Sequence, residues 1–231
     1  MTSTETYGYQ QLPELMTLMT GDEKHGTSAT STLDALWVLY DQVLAVDPLK
    51  PDDPGRDRFL LSKGHGPMSY YAVLAAKGFL TREQLASFGQ LDSVLGFHPD
   101  RVLVPGAEIG SGSLGHGLGL AVGTALGLRL TGHPDSRVVV MLGDAELEEG
   151  SNFEAIQYAG RAGLDRLMAV VIDNSSSTLG WPGGIGQRFV GEGWSASEVD
   201  GRDHRALARA YAEARPDRPH VVVARVEGKE L

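Results

Sequence analysis

The chain is 231 residues long, carries a formal net charge of −10 and contains no cysteine. Disulfides, zinc–thiolate centres and thiol nucleophiles are therefore excluded, and the acidic balance argues against a basic face for nucleic acid. The N-terminus MTSTETYGYQQLPEL lacks the basic and apolar regions of a signal peptide, and the longest apolar stretch, 114–130, is broken by His116, Arg129 and glycines. A cytoplasmic protein that meets neither membrane nor nucleic acid is the expectation. Residues 1–20 read as an arm or a lone helix, and residues 21–231 as a single α/β domain. TSTLDALWVLYDQVL (30–44) has apolar residues at helical spacing, and RFLLS (58–62) reads as a strand. GPMSYYAVLAAKG (66–78) opens a helix at Pro67 and closes it on Gly78. RVVVML (137–142), LMAVVID (167–173), SASEVD (195–200) and HVVVARV (220–226) read as further strands, several of them near-continuously apolar, as in parallel sheets covered on both faces. SNFEAIQYAGRAG begins with Ser151 and Glu154 at capping-box spacing, and DHRALARAYAEARP runs from Asp203 to Pro216. This alternation predicts a three-layer α/β/α domain with a mainly parallel sheet.

In such sheets ligands bind outside the carboxyl ends of the strands. Asp144 stands at one such end and Asn174 at the next. A right-handed crossover puts both strands in one sheet, so a carboxylate and an amide oxygen face one crevice. So sparse an oxygen set suits Mg²⁺, which keeps waters and takes phosphate oxygens. Each residue also has a plainer reading: Asp144 as a turn former, DNSSS as a polar loop, Glu154 as the helix-start partner of Ser151, and Glu146 and Glu148 as solvated acids.

GSGSLGHGLGLAVGTALG contains Gly110, Gly112 and Gly115 in a formal G-x-G-x-x-G. No clear strand precedes it, and the acid near the required spacing, Asp135, lies in a turn, so the dinucleotide reading lacks its context. Gly115, Gly119, Gly123 and Gly127 recur every four residues, a bare helical stripe that implies a tight helix contact within the domain or across an interface. His65, His98 and His25 each lie in a loop. If the loops reach one crevice, these side chains can transfer protons near neutral pH.

RDRFLLSKGHG, PGAEIGSGSLGHGLGLAVG, GDAELEEGSNFEA, IDN and VDGRD resemble, in order and spacing, the N-terminal part of transketolases. The likeness covers about residues 20–227 and implies the thiamine diphosphate-binding fold. In that family Mg²⁺ and thiamine diphosphate serve the transfer of two-carbon ketol units from ketose to aldehyde. The resemblance makes Asp144 and Asn174 side-chain ligands of Mg²⁺ and Ser176 a backbone carbonyl ligand. It places Gly112 and Leu114 along the cofactor, His65 beside the diphosphate, and His98 and His25 toward substrate. It places Glu149 at the interface that links two active sites. Ala145 stands where the family has the second glycine of Gly-Asp-Gly, at the backbone N–H that meets phosphate. His116, Phe97 and Lys24-His25-Gly26 also depart from the family pattern, on the substrate side, and imply an altered donor or acceptor.

Nothing in the chain corresponds to the family's pyrimidine-binding domain. The resemblance therefore implies a split enzyme, active only with a separate C-terminal subunit, as a heterotetramer. The α subunit of a 2-oxoacid dehydrogenase shares the Gly-Asp…Asn pattern and is the alternative, as is a thiamine diphosphate-binding pseudo-subunit without catalysis.

Overall fold

The computed structural model describes residues 7–20 and 26–228. In chain order its main elements are α1 (Leu12–Thr17), α2 (Gly26–Val38), β1 (Arg58–Leu61), α3 (Met68–Ala76), α4 (Arg82–Ala86), α5 (His116–Leu130), β2 (Val138–Gly143), α6 (Gly150–Arg161), β3 (Leu167–Asp173), α7 (Ile185–Gly191), β4 (Ser195–Asp200), α8 (His204–Ala212) and β5 (His220–Arg225). The five strands form one wholly parallel sheet in the order β1-β2-β3-β5-β4.

The apolar strand runs are buried on both faces because successive side chains point to opposite sides of a sheet. Val139 and Met141 of β2 and Val170 and Ile172 of β3 enter one apolar cluster, with α1, α2, α3, α4 and α8. Val138, Val140 and Leu142 of β2 and Ala169 and Val171 of β3 enter the other, with α5, α6 and α7. The chain advances along the sheet from β2 to β3 through α6 and from β3 to β4 through α7. It then steps back to β5 through α8, which lies on the opposite face. A constant right-handed crossover requires that change of face when the direction reverses. The carboxyl ends of β1, β2 and β3 consequently lie side by side.

Two helical segments differ from their sequence reading. The 30–44 helix is the end of α2, continued by a wider π turn over Leu39–Val43. α6 begins at Gly150 with Glu149 as its N-cap and no side-chain cap bond. The Ser151–Glu154 capping box does not form, because the Ser151 hydroxyl donates to the Gly115 carbonyl at 2.7 Å instead.

His220 opens β5 and is 1% exposed. Its Nε2 faces the Ala210 carbonyl at 3.1 Å and must donate, so Nδ1 accepts from the Ser195 hydroxyl at 2.8 Å. Burial holds its pKa below the usual 6.5. Below pH 6.5 the unfolded chain therefore binds a proton that the native His220 refuses, and stability is lost as pH falls from 6.5 toward the depressed native value. The wild-type melting temperature is expected to drop across that window, and less steeply for His220→Phe. Equal slopes in a thermal scan at several pH values would show that His220 is not the titrating group.

Candidate functional site

β2 and β3 are neighbours in register, with Gly143 opposite Ile172. Asp144 and Asn174 each stand one residue beyond the end of their strand, so they leave the sheet side by side, and both are buried. The Asp144 carboxylate accepts three hydrogen bonds from the loop after β3. The Ser176 hydroxyl donates to Oδ1 at 2.6 Å, and the Ser176 and Ser177 backbone N–H groups donate to Oδ2 at 2.6 and 2.9 Å. A carboxylate offers roughly four acceptor positions, so about one remains, on Oδ1. Asn174 Oδ1 is buried and accepts no hydrogen bond among the described residues. An orphaned buried acceptor costs about 1–3 kcal/mol unless something fills its place. The residue between Asn174 and Ser176, Ser175, has φ 56°, a left-handed conformation uncommon outside glycine.

Lys63, His65, Leu114, Gly143, Ala145, Glu146, Asn174 and Ser176 line a cavity of about 190 Å³ at these strand ends. Ala145 is not among the residues at positive φ, so its methyl group fits without backbone strain. The His65 and His98 rings meet edge to face, 5.6 Å between centroids. Gly112, at φ 98°, brings its backbone against His98: a Cβ there would stand 3.6 Å from the His98 Cδ2. Phe97 packs edge-on against Phe88 at 5.4 Å, beside His98. His98 and His116 are exposed, and His65 is half-buried. Glu149 is exposed at the start of α6, where its Cβ crowds the α5 entrance at Gly115. His25 lies outside the described residues. The structure thus brings together Asp144, Asn174, Ser176, Leu114, Ala145 and His65, with Gly112 and His98 beside them.

The acids read as solvated prove to be built in. Glu146 is 1% exposed. The Ser62 hydroxyl donates to its Oε1, as does the Gly115 N–H at 2.9 Å, while the Gly143 N–H donates to Oε2 at 3.3 Å. Ser62 Oγ in turn accepts from the Gly117 N–H at 3.0 Å. One carboxylate therefore ties the exit of β1, the start of α5 and the exit of β2 together. Burial raises its pKa above the usual carboxylate value, while these donors and nearby Lys63 pull it back. Glu148 accepts from the Ser177 hydroxyl, the Thr178 N–H and hydroxyl and the Leu179 N–H. Those donors hold its pKa below the ordinary value.

The glycine stripe is crowded only at its first member, Gly115, within the described residues. Around Gly119, Gly123 and Gly127 a Cβ would meet nothing within 4 Å, so that face makes no tight contact within the described residues. Close approaches lie at the N-terminal end of α5: at Gly115, the first glycine of the stripe, where a Cβ would stand 2.7 Å from that of Glu149, and at Gly117, off the stripe, where it would stand 2.2 Å from that of Ser62.

A divalent ion fits this donor set. Asp144 keeps an acceptor position, Asn174 presents an unfilled amide oxygen, and both are hard oxygen donors of the kind Mg²⁺ takes. Among the described residues no three His, Asp or Glu side chains gather into a metal-holding group. Such sparse protein ligation suits an ion whose shell is completed by water and phosphate. No helix of the described residues is long and apolar enough to cross a membrane.

The chain is 54% identical over 220 residues to "Ferredoxin fas2" of Rhodococcoides fascians, covering 95% of this chain and 72% of the relative. It is 33% identical over 202 residues to a protein of Phocaeicola vulgatus named as one of the subunits of an apulose-4-phosphate transketolase, covering 84% and 71%. A transketolase variant from Pichia stipitis superposes with a TM-score of 0.80 at 30% identity, over 94% of this chain and 36% of that one. The Campylobacter jejuni transketolase gives 0.76 at 26%, over 95% and 38%. The chain thus spans little more than a third of the length of these solved transketolases. With no cysteine, it holds no thiolate-ligated iron–sulfur cluster of its own, whatever the name of the first relative. The family described as "Transketolase, thiamine diphosphate binding domain" matches residues 17–227. With a parallel sheet, a cavity at its strand ends and this match over nearly its whole length, the chain belongs to the transketolase N-terminal, thiamine diphosphate-binding family.

Proposed function

We propose that the chain is the N-terminal component of a split transketolase. It binds Mg²⁺ and thiamine diphosphate, and it moves two-carbon ketol units together with a separate pyrimidine-binding C-terminal subunit, as a heterotetramer. The observation that carries this reading is the unfilled Asn174 Oδ1, buried at the strand end next to Asp144 and lining the 190 Å³ cavity. Division of the enzyme between chains is supported by the 33% identical relative, whose name makes it one of several transketolase subunits.

Asp144, Asn174 and the Ser176 carbonyl hold the metal. His65, Leu114, Gly112 and the Ala145 backbone hold the diphosphate end. When bound, thiamine diphosphate supplies the electron sink that cleavage of a carbon–carbon bond needs. The chain's own part is to bind, orient and exchange protons: the His98 imidazole, and His25 with it, recognise substrate hydroxyls and carry protons near neutral pH. Glu149, exposed at the start of α6, meets the neighbouring protomer. Phe97 stands next to His98 where the family pattern has glycine, and this departure favours a donor or acceptor other than ordinary pentose phosphates.

The test is a two-carbon transfer assay with ketose donor, aldehyde acceptor, Mg²⁺ and thiamine diphosphate, with and without the second chain. Activity is expected only with both chains, and robust turnover by the lone chain overturns the split. The ferredoxin name of the 54% identical relative favours a second reading, oxidation of a 2-oxoacid with electrons passed to an iron–sulfur carrier. Turnover of a 2-oxoacid with a one-electron acceptor, and none with sugar phosphates, would select it.

A further inference from the structure

Seven hydrogen-bond donors crowd the loop after β3, and two carboxylates from the turn after β2 collect them. Asp144 takes the Ser176 N–H, the Ser176 hydroxyl and the Ser177 N–H. Glu148 takes the next set: the Ser177 hydroxyl at 2.5 Å, the Thr178 N–H at 2.8 Å, the Leu179 N–H at 3.0 Å and the Thr178 hydroxyl at 3.2 Å. The Ser177 hydroxyl also accepts from the Gly180 N–H at 3.2 Å, which closes the loop on itself. Thr178 and Leu179 are exposed, Leu179 to 82%, so no apolar packing fixes them. Gly180, Gly183 and Gly184 follow at positive φ.

We infer that Glu148 is a positioning residue for the metal, acting through the loop. By gathering Ser177, Thr178 and Leu179 it holds the segment that carries Ser176 in place before any ion arrives, and keeps Asn174 and the Ser176 carbonyl aimed at the cavity. Without it, that ordering must come out of the binding free energy. Three of the four bonds end on a single oxygen, Oε1. A glutamine therefore keeps those three through its amide oxygen, and its NH₂ can donate to the Thr178 hydroxyl. An alanine keeps none. The pair of variants separates positioning from charge.

The inference rests on the metal reading of Asp144 and Asn174, and its test has two arms. The first is hydrogen exchange of the Thr178 and Leu179 amides in the metal-free chain. In Glu148→Ala both are expected to exchange at least about tenfold faster, while Glu148→Gln stays within roughly threefold of wild type. The second is Mn²⁺ affinity by electron paramagnetic resonance in the presence of thiamine diphosphate. Glu148→Ala is expected to lose about 10–100-fold, the range typical of residues that orient metal ligands, and Glu148→Gln much less. Unchanged exchange in Glu148→Ala overturns the inference. So does unchanged Mn²⁺ affinity, or an equal loss in both variants, which would mean that the charge acts through space. A wild-type chain that binds no Mn²⁺ sinks the metal reading itself, and the exchange arm then still decides whether Glu148 holds the loop.

Discussion

Asp144→Ala is expected to abolish the rise in melting temperature that Mg²⁺ and thiamine diphosphate together give the wild-type chain. A ligand that binds only the native state stabilises it by RT ln(1 + [L]/Kd), about 2.7 kcal/mol at a hundredfold excess over Kd. Residues that merely orient metal ligands cost about 10–100-fold in affinity, so loss of the proposed carboxylate ligand costs at least the upper end of that range and removes nearly the whole shift. The metal-free variant also loses stability, because the Ser176 and Ser177 donors forfeit their acceptor. That loss is about 1–3 kcal/mol, since the loop is half-exposed and water replaces part of what is lost. Asn174→Ala separates the two effects. Its Oδ1 has no protein partner to lose among the described residues, so the metal-free protein keeps nearly its full stability while the cofactor-induced shift disappears. Differential scanning fluorimetry with and without both ligands checks this, and a full shift in either variant would remove Asp144 and Asn174 from the metal site.

Glu146→Ala is expected to be the more destructive change to the metal-free fold. It leaves the Ser62 hydroxyl and the Gly115 and Gly143 N–H groups without their acceptor in a closed interior. At about 1–3 kcal/mol for each stranded donor, the loss exceeds about 3 kcal/mol, a large part of the roughly 5–15 kcal/mol that ordinarily separates native from unfolded chains. Glu146→Gln keeps an amide oxygen for Ser62 and Gly115 and fails only at Gly143, where an NH₂ would face an N–H. It should therefore lose clearly less. Urea denaturation of the two variants reads the difference. Near-wild-type midpoints for Glu146→Ala would show that the three elements meet without help from this carboxylate.

Asp144 and Asn174 were legible in the sequence because their position depends on short-range pattern. Each follows an apolar run whose length and burial mark a parallel strand, and consecutive βα units bring their strand ends together. Whether a methyl group at Ala145 strains the backbone was not legible; only φ answers it. The roles of Glu146 and Glu148 were not legible, because an acid in an acid-rich turn reads as solvated. Their donors lie far along the chain: Ser62 is 84 residues from Glu146, Gly115 31, and Thr178 30 from Glu148. Likewise the glycines of α5 announced a bare face, but only the packed structure showed that Gly115 meets Glu149, that Gly117 meets Ser62, and that Gly119, Gly123 and Gly127 meet nothing among the described residues.

By itself the sequence determined the layers, the parallel sheet and the pairing of Asp144 with Asn174 at neighbouring strand ends, since alternation of apolar runs and strand-end residues are local properties that the backbone repeats. Tertiary structure alone decided which acids are buried and which glycines are crowded. Burial of a carboxylate requires several donors to converge on it from separate elements, and that convergence exists only once the sheet has assembled.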